Sequence, residues 1–316
     1  MPTRLVVRAL ASLTMISAVA SPVAAAARPS PHQALARPVA AAPRPAAPPS
    51  APPSALATAP GPAPAVGTSR PVARPAPEPA AARRVILYGD SLAWQSQGFF
   101  TAALAGAGIT QVTARTFGGT AICDWFADMR RDAAAIRPDA VVVEFSGNTL
   151  TPCMRALDGS MLSGAAYFQK YAADAAAVLD IFTPGHTLVF FAGAPISRGA
   201  ERTGDPTAPT LHAIYAAVAQ STPYGRYTDA GASVLSGGRW TETLPCLAGE
   251  PCTGGHDANG TPVNIVRAPD GAHFCPGAPA AVRGVTTECS VWDGGAWRYG
   301  NAMAAPVIVE FASHQP

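Results

Sequence analysis

The strongest constraint on the fold is a regular alternation of short apolar runs and helix-like stretches that begins at Arg83. Buried strands are predicted at 85–88, 111–117, 140–145 and 187–192, and helices at 93–107, 124–136, 165–182 and 209–219. Strands that alternate with helices favour a mostly parallel sheet covered by helices. We therefore expect one α/β domain over residues 83–316, which is long enough to form a hydrophobic core.

The stretch 231–263 interrupts this alternation because it is rich in Gly, Thr and Pro. We expect loops and a small hairpin there, with strand sequence resuming at 263–266. A terminal helix is predicted near 301–312, although Pro306 inside it would remove a helical hydrogen bond.

Residues 28–82 have a different composition, with 16 Pro and 18 Ala among 55 positions and no aromatic residue. Such a segment cannot bury enough apolar surface to offset the entropy lost on ordering. Since Pro and Ala favour extended polyproline conformations, we expect a disordered, semi-rigid spacer. Two interpretations stay open: a tether that contacts a cell envelope, and a passive tail.

Residues 1–27 have the pattern of a secretory signal peptide. Arg4 and Arg8 precede an uncharged run at 9–20, and Pro22 and the small residues after it suit cleavage near Ala26. The alternative is an uncleaved membrane anchor. The pattern predicts a protein that is secreted or associated with the cell envelope.

The formal net charge of +2 conceals an acidic domain, because residues 83–316 carry 15 basic and 19 acidic side chains. A nucleic-acid-binding domain is disfavoured, since neutralising phosphates requires a basic excess. No His/Cys/Asp cluster has the spacing of a zinc site, so no metal is expected.

Polar residues or glycines follow the predicted strands or a later loop in four blocks, which read Gly89-Asp90-Ser91-Leu92, Phe117-Gly118-Gly119-Thr120, Ser146-Gly147-Asn148 and Asp270-Gly271-Ala272-His273. Ligands of open α/β sheets bind at the carboxyl ends of the strands. A serine at a helix start exposes its hydroxyl and its backbone N–H, and a histidine can take the hydroxyl proton near neutral pH.

These four blocks, in this order, resemble those of the SGNH (GDSL) hydrolases, and the resemblance covers essentially residues 83–316. It implies a flavodoxin-like three-layer α/β sandwich with a mostly parallel sheet, and a serine esterase that needs no cofactor. It further implies that Ser91 is the nucleophile, His273 its general base, and Asp270 the group that orients the imidazole.

The resemblance also implies an oxyanion hole formed by the N–H groups of Ser91 and Gly118 and by the Asn148 amide. Gly118 is preferred to Gly119 because the family's second block usually reads Gly-x-Ser/Thr. The third block departs from the usual Gly-x-Asn-Asp, since Thr149 stands where a carboxylate is expected. This departure leaves open the loop conformation and the subfamily.

Structural interpretations compete with these roles. Ser91 could be merely a helix cap, and His256 is a rival base that lacks an Asp three residues earlier. Trp94 could line a substrate cleft, whereas packing is the favoured role of the other tryptophans, which are Trp125, Trp240, Trp292 and Trp297. Structural roles are also favoured for His186 and His212.

Six cysteines in an exported domain predict three disulfides, for which fifteen connectivities exist. Proximity suggests the pairs Cys246–Cys252 and Cys275–Cys289, which leaves Cys123–Cys153. The last pair would join the two oxyanion loops. A free catalytic thiol is the alternative.

The sequence therefore predicts a secreted, monomeric serine esterase that cleaves short acyl or acetyl esters, carried on a polysaccharide or a lipid. Two alternatives stay open. One is an acyltransferase that uses the same triad on envelope glycans or lipids, and the other is an inactive cell-wall-binding module.

Overall fold

The computed structural model describes residues 82–250, 252, 254–274 and 294–313. The predicted signal peptide, nearly all of the spacer, Trp292 and the pair Cys275–Cys289 lie outside these residues. The described chain is built around a parallel sheet of five strands, which are β1 (Arg84–Gly89), β2 (Gln111–Thr116), β3 (Ala140–Glu144), β4 (Leu188–Ala192) and β5 (Gly225–Thr228). Their spatial order is β2-β1-β3-β4-β5. This order is that of flavodoxin-like folds.

The helices are α1 (Ser91–Gly106), α2 (Phe126–Ala135), α3 (Gly164–Phe182), α4 (Arg198–Thr203), α5 (Thr207–Ala219) and α6 (Gly294–Ser313). Short 3-10 turns lie at Ile122–Trp125, Pro152–Met154, Thr183–Gly185 and Ala230–Val234. Two antiparallel ladders, β6 (Leu235–Ser236) with β7 (Arg239–Trp240) and β8 (Thr243–Pro245) with β9 (Val263–Ile265), lie outside the main sheet.

The sheet separates two hydrophobic cores, because successive residues of a strand point to opposite faces. In β1, Val85 and Leu87 pack with α1 and α6, whereas Ile86 and Tyr88 pack with α2, α3 and α5. A strand that is buried on both faces must be apolar throughout, which explains the unbroken apolar runs of the sequence. The predicted three-layer α/β class is confirmed.

The differences from prediction lie where the sequence pattern is weak. Strand β5 has only four residues, all partly exposed, and one of them is Arg226, which pairs with Glu310 of α6. Helix α4 has six residues and no fully buried side chain. The strand predicted at 263–266 pairs with β8 and not with the main sheet.

The terminal helix is longer than predicted and continues through Pro306. Tyr299, Met303, Val307 and Phe311 recur every four residues along it, and all four are buried. This apolar stripe packs against α1 in the core, so burial offsets the hydrogen bond that Pro306 removes. No helix within the described part of the chain is both long and apolar enough to span a membrane.

The register of the sheet aligns the ends of its first three strands. Gly89 of β1 lies opposite Thr116 of β2 and Glu144 of β3. The residues that follow these strands therefore meet at one edge of the sheet. Three of the four sequence blocks lie there.

Substitution of Gly89 tests how tightly this edge is packed. A Cβ at Gly89 would lie 2.3 Å from the Cβ of Ala93 and 2.8 Å from the Glu144 carbonyl oxygen. We expect Gly89→Ala to lower the free energy of unfolding by about 1–3 kcal/mol in urea titrations, because overpacking forces atoms apart.

Gly106 supplies the matched control, since a Cβ there meets nothing within 4 Å. Gly106→Ala should raise the free energy of unfolding by about 0.4–1 kcal/mol through the unfolded state. Equal effects of the two substitutions would contradict the packing described here.

Candidate active site

A chain of hydrogen bonds joins three of the residues singled out in the sequence. His273 Nε2 lies 3.0 Å from Ser91 Oγ, and His273 Nδ1 lies 2.6 Å from Asp270 Oδ2. Ser91 and His273 are 182 residues apart in the chain, so only the fold brings them together. The arrangement is that of a nucleophile, a base and an orienting carboxylate.

The loop around Asp270 is held by its own backbone. Asp270 Oδ1 accepts hydrogen bonds from the N–H groups of Ala272 (2.9 Å) and His273 (3.0 Å), and the Ala268 N–H donates to the His273 carbonyl at 2.8 Å. Partial burial raises the pKa of Asp270, but the N–H groups of Ala272 and His273 and the His273 ring lower it by more, so the net shift is downward. Asp270 is therefore an ionised carboxylate that can stabilise an imidazolium.

Neighbouring segments fix the same loop from outside. The Gly271 carbonyl accepts hydrogen bonds from the Arg198 N–H and the Trp240 ring N–H, both at 2.9 Å. The buried guanidinium of Arg267 donates to the Ala272 carbonyl at 3.1 Å and to the Ile196 carbonyl at 3.3 Å. Trp240 thus does more than pack, because it positions the loop that carries Asp270 and His273.

Gly118 is the glycine that faces Ser91. A Cβ at Gly118 would lie 3.7 Å from the Ser91 Cβ, whereas nothing lies within 4 Å of the equivalent position at Gly119. The ring of Trp94 flanks Gly118 and stacks on Phe117, with ring centroids 5.6 Å apart, and Phe117 is 49% exposed. Trp94 therefore belongs to an aromatic surface beside Ser91.

Asn148 lies at the same edge, but its amide already has partners. Nδ2 donates to Asp90 Oδ2 at 2.8 Å and to the Thr120 carbonyl at 3.1 Å. Since a side-chain amide has two N–H donors, both are used here. The sequence predicts Asn148 as an oxyanion donor, and that role requires the longer bond, to Thr120, to be exchanged for the oxyanion.

Asp90 is the fully buried group that connects these loops. Its carboxylate accepts hydrogen bonds from the Leu92 N–H (3.0 Å), the Ser146 N–H (2.7 Å), the Ser146 hydroxyl (2.6 Å) and the Asn148 amide. Burial raises the pKa of Asp90, and the bonds from Ser146 and Leu92 oppose that rise. Asp90 is the N-cap of α1, and it also ties the third block to the helix that begins at Ser91.

Three tyrosines hold the third block, in which Thr149 stands where the resembled SGNH pattern has a carboxylate. The hydroxyls of Tyr215, Tyr167 and Tyr171 donate to the carbonyls of residues 145, 147 and 148, respectively, over 2.9–3.0 Å. Gly147 has a φ of +110°, and a Cβ there would lie 2.4 Å from the Tyr167 hydroxyl oxygen. The sequence leaves the conformation of this loop open because Thr149 replaces a carboxylate. In the structure, side chains of α3 and α5 hold the loop in place. Sequence reasoning missed these tyrosines because helical spacing marks them only as core residues.

The other candidate histidines lie elsewhere. His256, which the sequence offers as a rival base, is exposed and forms an isolated β-bridge with Pro262. His212 Nε2 pairs with the Ala194 carbonyl at 2.7 Å, and His186 pairs with the Tyr224 hydroxyl. The structure places His273, and not His256, against Ser91.

A cavity of about 250 Å³ opens at Ser91. Its polar lining includes Ser91, Ser146, Asn148, Ser197, Asp205 and His273. A second cavity, of about 450 Å³, shares Asp205 and Thr207 with it and is lined by Tyr167 and Phe168. Within the described residues, no group of three or more His, Cys, Asp or Glu side chains could hold a metal ion.

Disulfides join Cys123 to Cys153 and Cys246 to Cys252, which are two of the pairs suggested by the sequence. The first links the turn after Gly118 to the turn after Asn148. It therefore ties together the two loops that approach Ser91 from β2 and β3.

The chain matches one protein family and is similar to several solved structures. The family described as "Protein of unknown function (DUF459)" matches residues 84–280, and no curated protein matches the chain. The chain is similar to the lipase/acylhydrolase from Enterococcus faecalis, with 14% identity and a TM-score of 0.44 over 72% of this chain and 96% of that one. The GDSL-like lipase from Bacteroides thetaiotaomicron matches with 10% identity and a TM-score of 0.42, over 72% and 89% of the two chains. A catalytic mutant of an acetylxylan esterase from Geobacillus stearothermophilus matches with 15% identity and a TM-score of 0.37, over 48% and 77%.

Removal of the Cys123–Cys153 bridge should destabilise the domain more than removal of the other described bridge. The two disulfides close loops of 30 and 6 residues, respectively. Since the entropy gained by the unfolded chain grows with loop length, we expect the double Cys→Ser variants to lose about 3–4 and about 2 kcal/mol.

Urea unfolding of the two double variants, with all other cysteines retained, measures both losses. Each variant serves as the control for the other. A larger loss for the short loop would show that the long bridge is not the main constraint on these turns.

Proposed function

The chain belongs to the family described as "Protein of unknown function (DUF459)", a description that assigns no activity, and we propose from the site itself that it is a serine hydrolase of carboxylic esters. The observation that carries this proposal is the hydrogen-bonded chain Ser91–His273–Asp270 at the carboxyl edge of a parallel sheet. The chemistry is acyl transfer through an acyl-Ser91 intermediate.

In the first step Ser91 Oγ attacks the ester carbonyl while its proton passes to His273 Nε2. Asp270 stabilises the resulting imidazolium through Nδ1. When the tetrahedral intermediate collapses, the bond to the alcohol breaks and His273 returns the proton to the departing oxygen. Water then attacks the acyl-enzyme with His273 as base again, which releases the acid and regenerates Ser91.

The negative oxygen of the intermediate would be held by the N–H groups of Ser91 and Gly118. Ser91 is the first residue of α1, where backbone N–H groups lack helical partners and favour an anion. Asn148 would supply a third donor once its bond to Thr120 is exchanged. Removal of one such donor typically costs about 3–4 kcal/mol of transition-state stabilisation.

The cavity at Ser91 supports short acyl groups. It has a volume of about 250 Å³, and its lining includes four hydroxyl side chains, which are Ser91, Ser146, Ser197 and Thr207. Binding sites for long acyl chains are lined mainly by large apolar side chains, whereas the apolar residues here are Leu92, Pro195 and three alanines. We therefore favour acetyl or other short acyl esters of a polar, hydroxyl-bearing molecule.

We place this activity outside the cell interior, either secreted or at the envelope. The signal-peptide pattern of residues 1–27 supports export. The two disulfides support an oxidising compartment.

Replacement of the nucleophile tests the proposal directly. Ser91→Ala should reduce hydrolysis of an aryl acetate by at least about 10³-fold, because no other group can form the acyl-enzyme. It should also abolish covalent labelling by an organophosphonate, as read by intact-protein mass spectrometry.

Ser221→Ala is the matched control, since Ser221 is exposed and bonds only locally, to the Val218 carbonyl. Its turnover and labelling should equal those of the unmodified chain. Wild-type turnover by a Ser91→Ala protein with native unfolding behaviour would refute the proposed function.

Asn148→Ala tests the third oxyanion donor. If the amide moves from Thr120 to the oxyanion, kcat should fall about 10²–10³-fold with little change in KM, because the bond forms only in the transition state. Steady-state kinetics on the same ester separates the two constants. An unchanged kcat would show that the Asn148 amide does not bind the oxyanion and serves only to bond Asp90 and Thr120.

A further inference from the structure

Two carboxyl groups are buried together beneath the nucleophile. Asp90 directly follows β1, Glu144 is the last residue of the neighbouring strand β3, and both are 0% exposed. The Asp90 N–H donates to the Glu144 main-chain carbonyl at 3.2 Å. Within the described residues, neither carboxyl group forms an ion pair with a Lys, Arg or His side chain. Two such groups cannot both be ionised without a large cost, because each charge is desolvated and repels the other.

The hydrogen-bond donors are unequally divided between the two groups. Asp90 receives four, from the Leu92 N–H, the Ser146 N–H and hydroxyl, and the Asn148 amide. The Glu144 carboxyl group lies 3.1 Å from the Ala93 N–H and 3.0 Å from the Tyr299 hydroxyl, and the backbone N–H of Asp90 also acts on it. Because donors stabilise the charged form, the negative charge belongs on Asp90.

The contacts of Tyr299 fit a proton on Glu144. The Tyr299 hydroxyl lies 3.0 Å from Glu144 Oε1 and 3.3 Å from the Gly193 carbonyl, which cannot itself donate. A tyrosine has only one proton to give. If Glu144 Oε1 is protonated and donates to the tyrosine oxygen, Tyr299 can donate to Gly193, and every contact becomes a hydrogen bond.

We propose that Glu144 is a neutral carboxylic acid and a positioning residue for Ser91. Its Oε2 accepts the third backbone N–H of α1, and its O–H reaches Tyr299 of α6. It thereby fixes the first turn of the helix that begins at Ser91 against β3 and α6. A negative charge on Glu144 would repel the charged carboxylate of Asp90, which binds the loops beside Ser91.

The surroundings of Glu144 agree with this state. Burial raises the pKa of Glu144 well above its usual range, and the charge of Asp90 raises it further, while bonds from Tyr299, Ala93 and Asp90 oppose the rise. The other titratable groups that face it are Tyr215 of α5 and Tyr299, whose pKa values burial also raises. The charge of Arg267 lowers the pKa of Tyr299.

Infrared spectroscopy of the full chain tests the protonation state without any assumption about activity. Near pH 8, exposed carboxyl groups are ionised, so a carbonyl stretch of a protonated carboxylic acid reports a buried one. We expect this band in the unmodified chain and its loss in Glu144→Gln. Absence of the band, or its persistence in Glu144→Gln, would overturn the proposal.

The pH dependence of stability gives an independent test with a definite sign. A folded-state pKa above the unfolded value of about 4.3 means that Glu144 stabilises the fold fully below that pH and progressively less as pH rises. Gln mimics the neutral acid and does not titrate. The urea midpoint of Glu144→Gln relative to the unmodified chain should therefore rise from pH 4 to pH 8.

Asp90→Asn is the matched comparison, because it makes the same chemical change at the neighbouring carboxyl group. Asn cannot accept all four donors, so the urea midpoint of Asp90→Asn should lie below that of the unmodified chain throughout the same pH range. A midpoint difference for Glu144→Gln that stays constant or falls with pH would show that Glu144 is ionised in the fold. These readouts stand whether or not Ser91 proves to be a nucleophile.

Discussion

The buried carboxylate of Asp90 is the interaction on which the rest of the site depends. It sits between two strand ends and accepts donors from the first turn of α1 and from the loop after β3. Hydrogen bonds to a charged group contribute about 1.5–3 kcal/mol each, which offsets the cost of removing the charge from water. Ser91 and Asn148 hold their relative positions because both segments are bound to the same carboxylate.

On the side of β2 and β3, contacts from neutral groups extend this network outward. Tyr167, Tyr171 and Tyr215 donate to three carbonyls of the loop after β3, and a disulfide links that region to the turn after β2. Neutral donors satisfy the carbonyls at little electrostatic cost. The site is therefore rigid on the side of β2 and β3, where the proposed oxyanion donors lie.

The fold was predictable because its signals are local. Three of the five main strands, β1, β3 and β4, are buried on both faces and so read as unbroken apolar runs. The edge strands β2 and β5 are partly exposed, although β2 is predicted as buried, and they contain Arg115 and Arg226. The three residues of the hydrogen-bonded chain were found because each belongs to a short motif at a strand end or loop. Glu144 was missed because a single acidic residue at the end of an apolar run looks like the boundary of a strand. Its role follows from its contacts with Asp90 and Tyr299, which are distant from it in the chain.

The exposure of His273 and Asp270 favours hydrolysis over transfer as the fate of the proposed acyl-Ser91 intermediate. The side chains of His273 and Asp270 are 37% and 52% exposed, so water reaches the base from outside the cleft. A transferase must keep water from the acyl-enzyme until its acceptor binds, since exclusion of water prevents hydrolysis of reactive intermediates. In the described part of the chain, no segment covers His273 to that extent. An acceptor hydroxyl would have to compete with water at an open base, and water, at its far higher concentration, would win unless the acceptor were bound tightly beside Ser91.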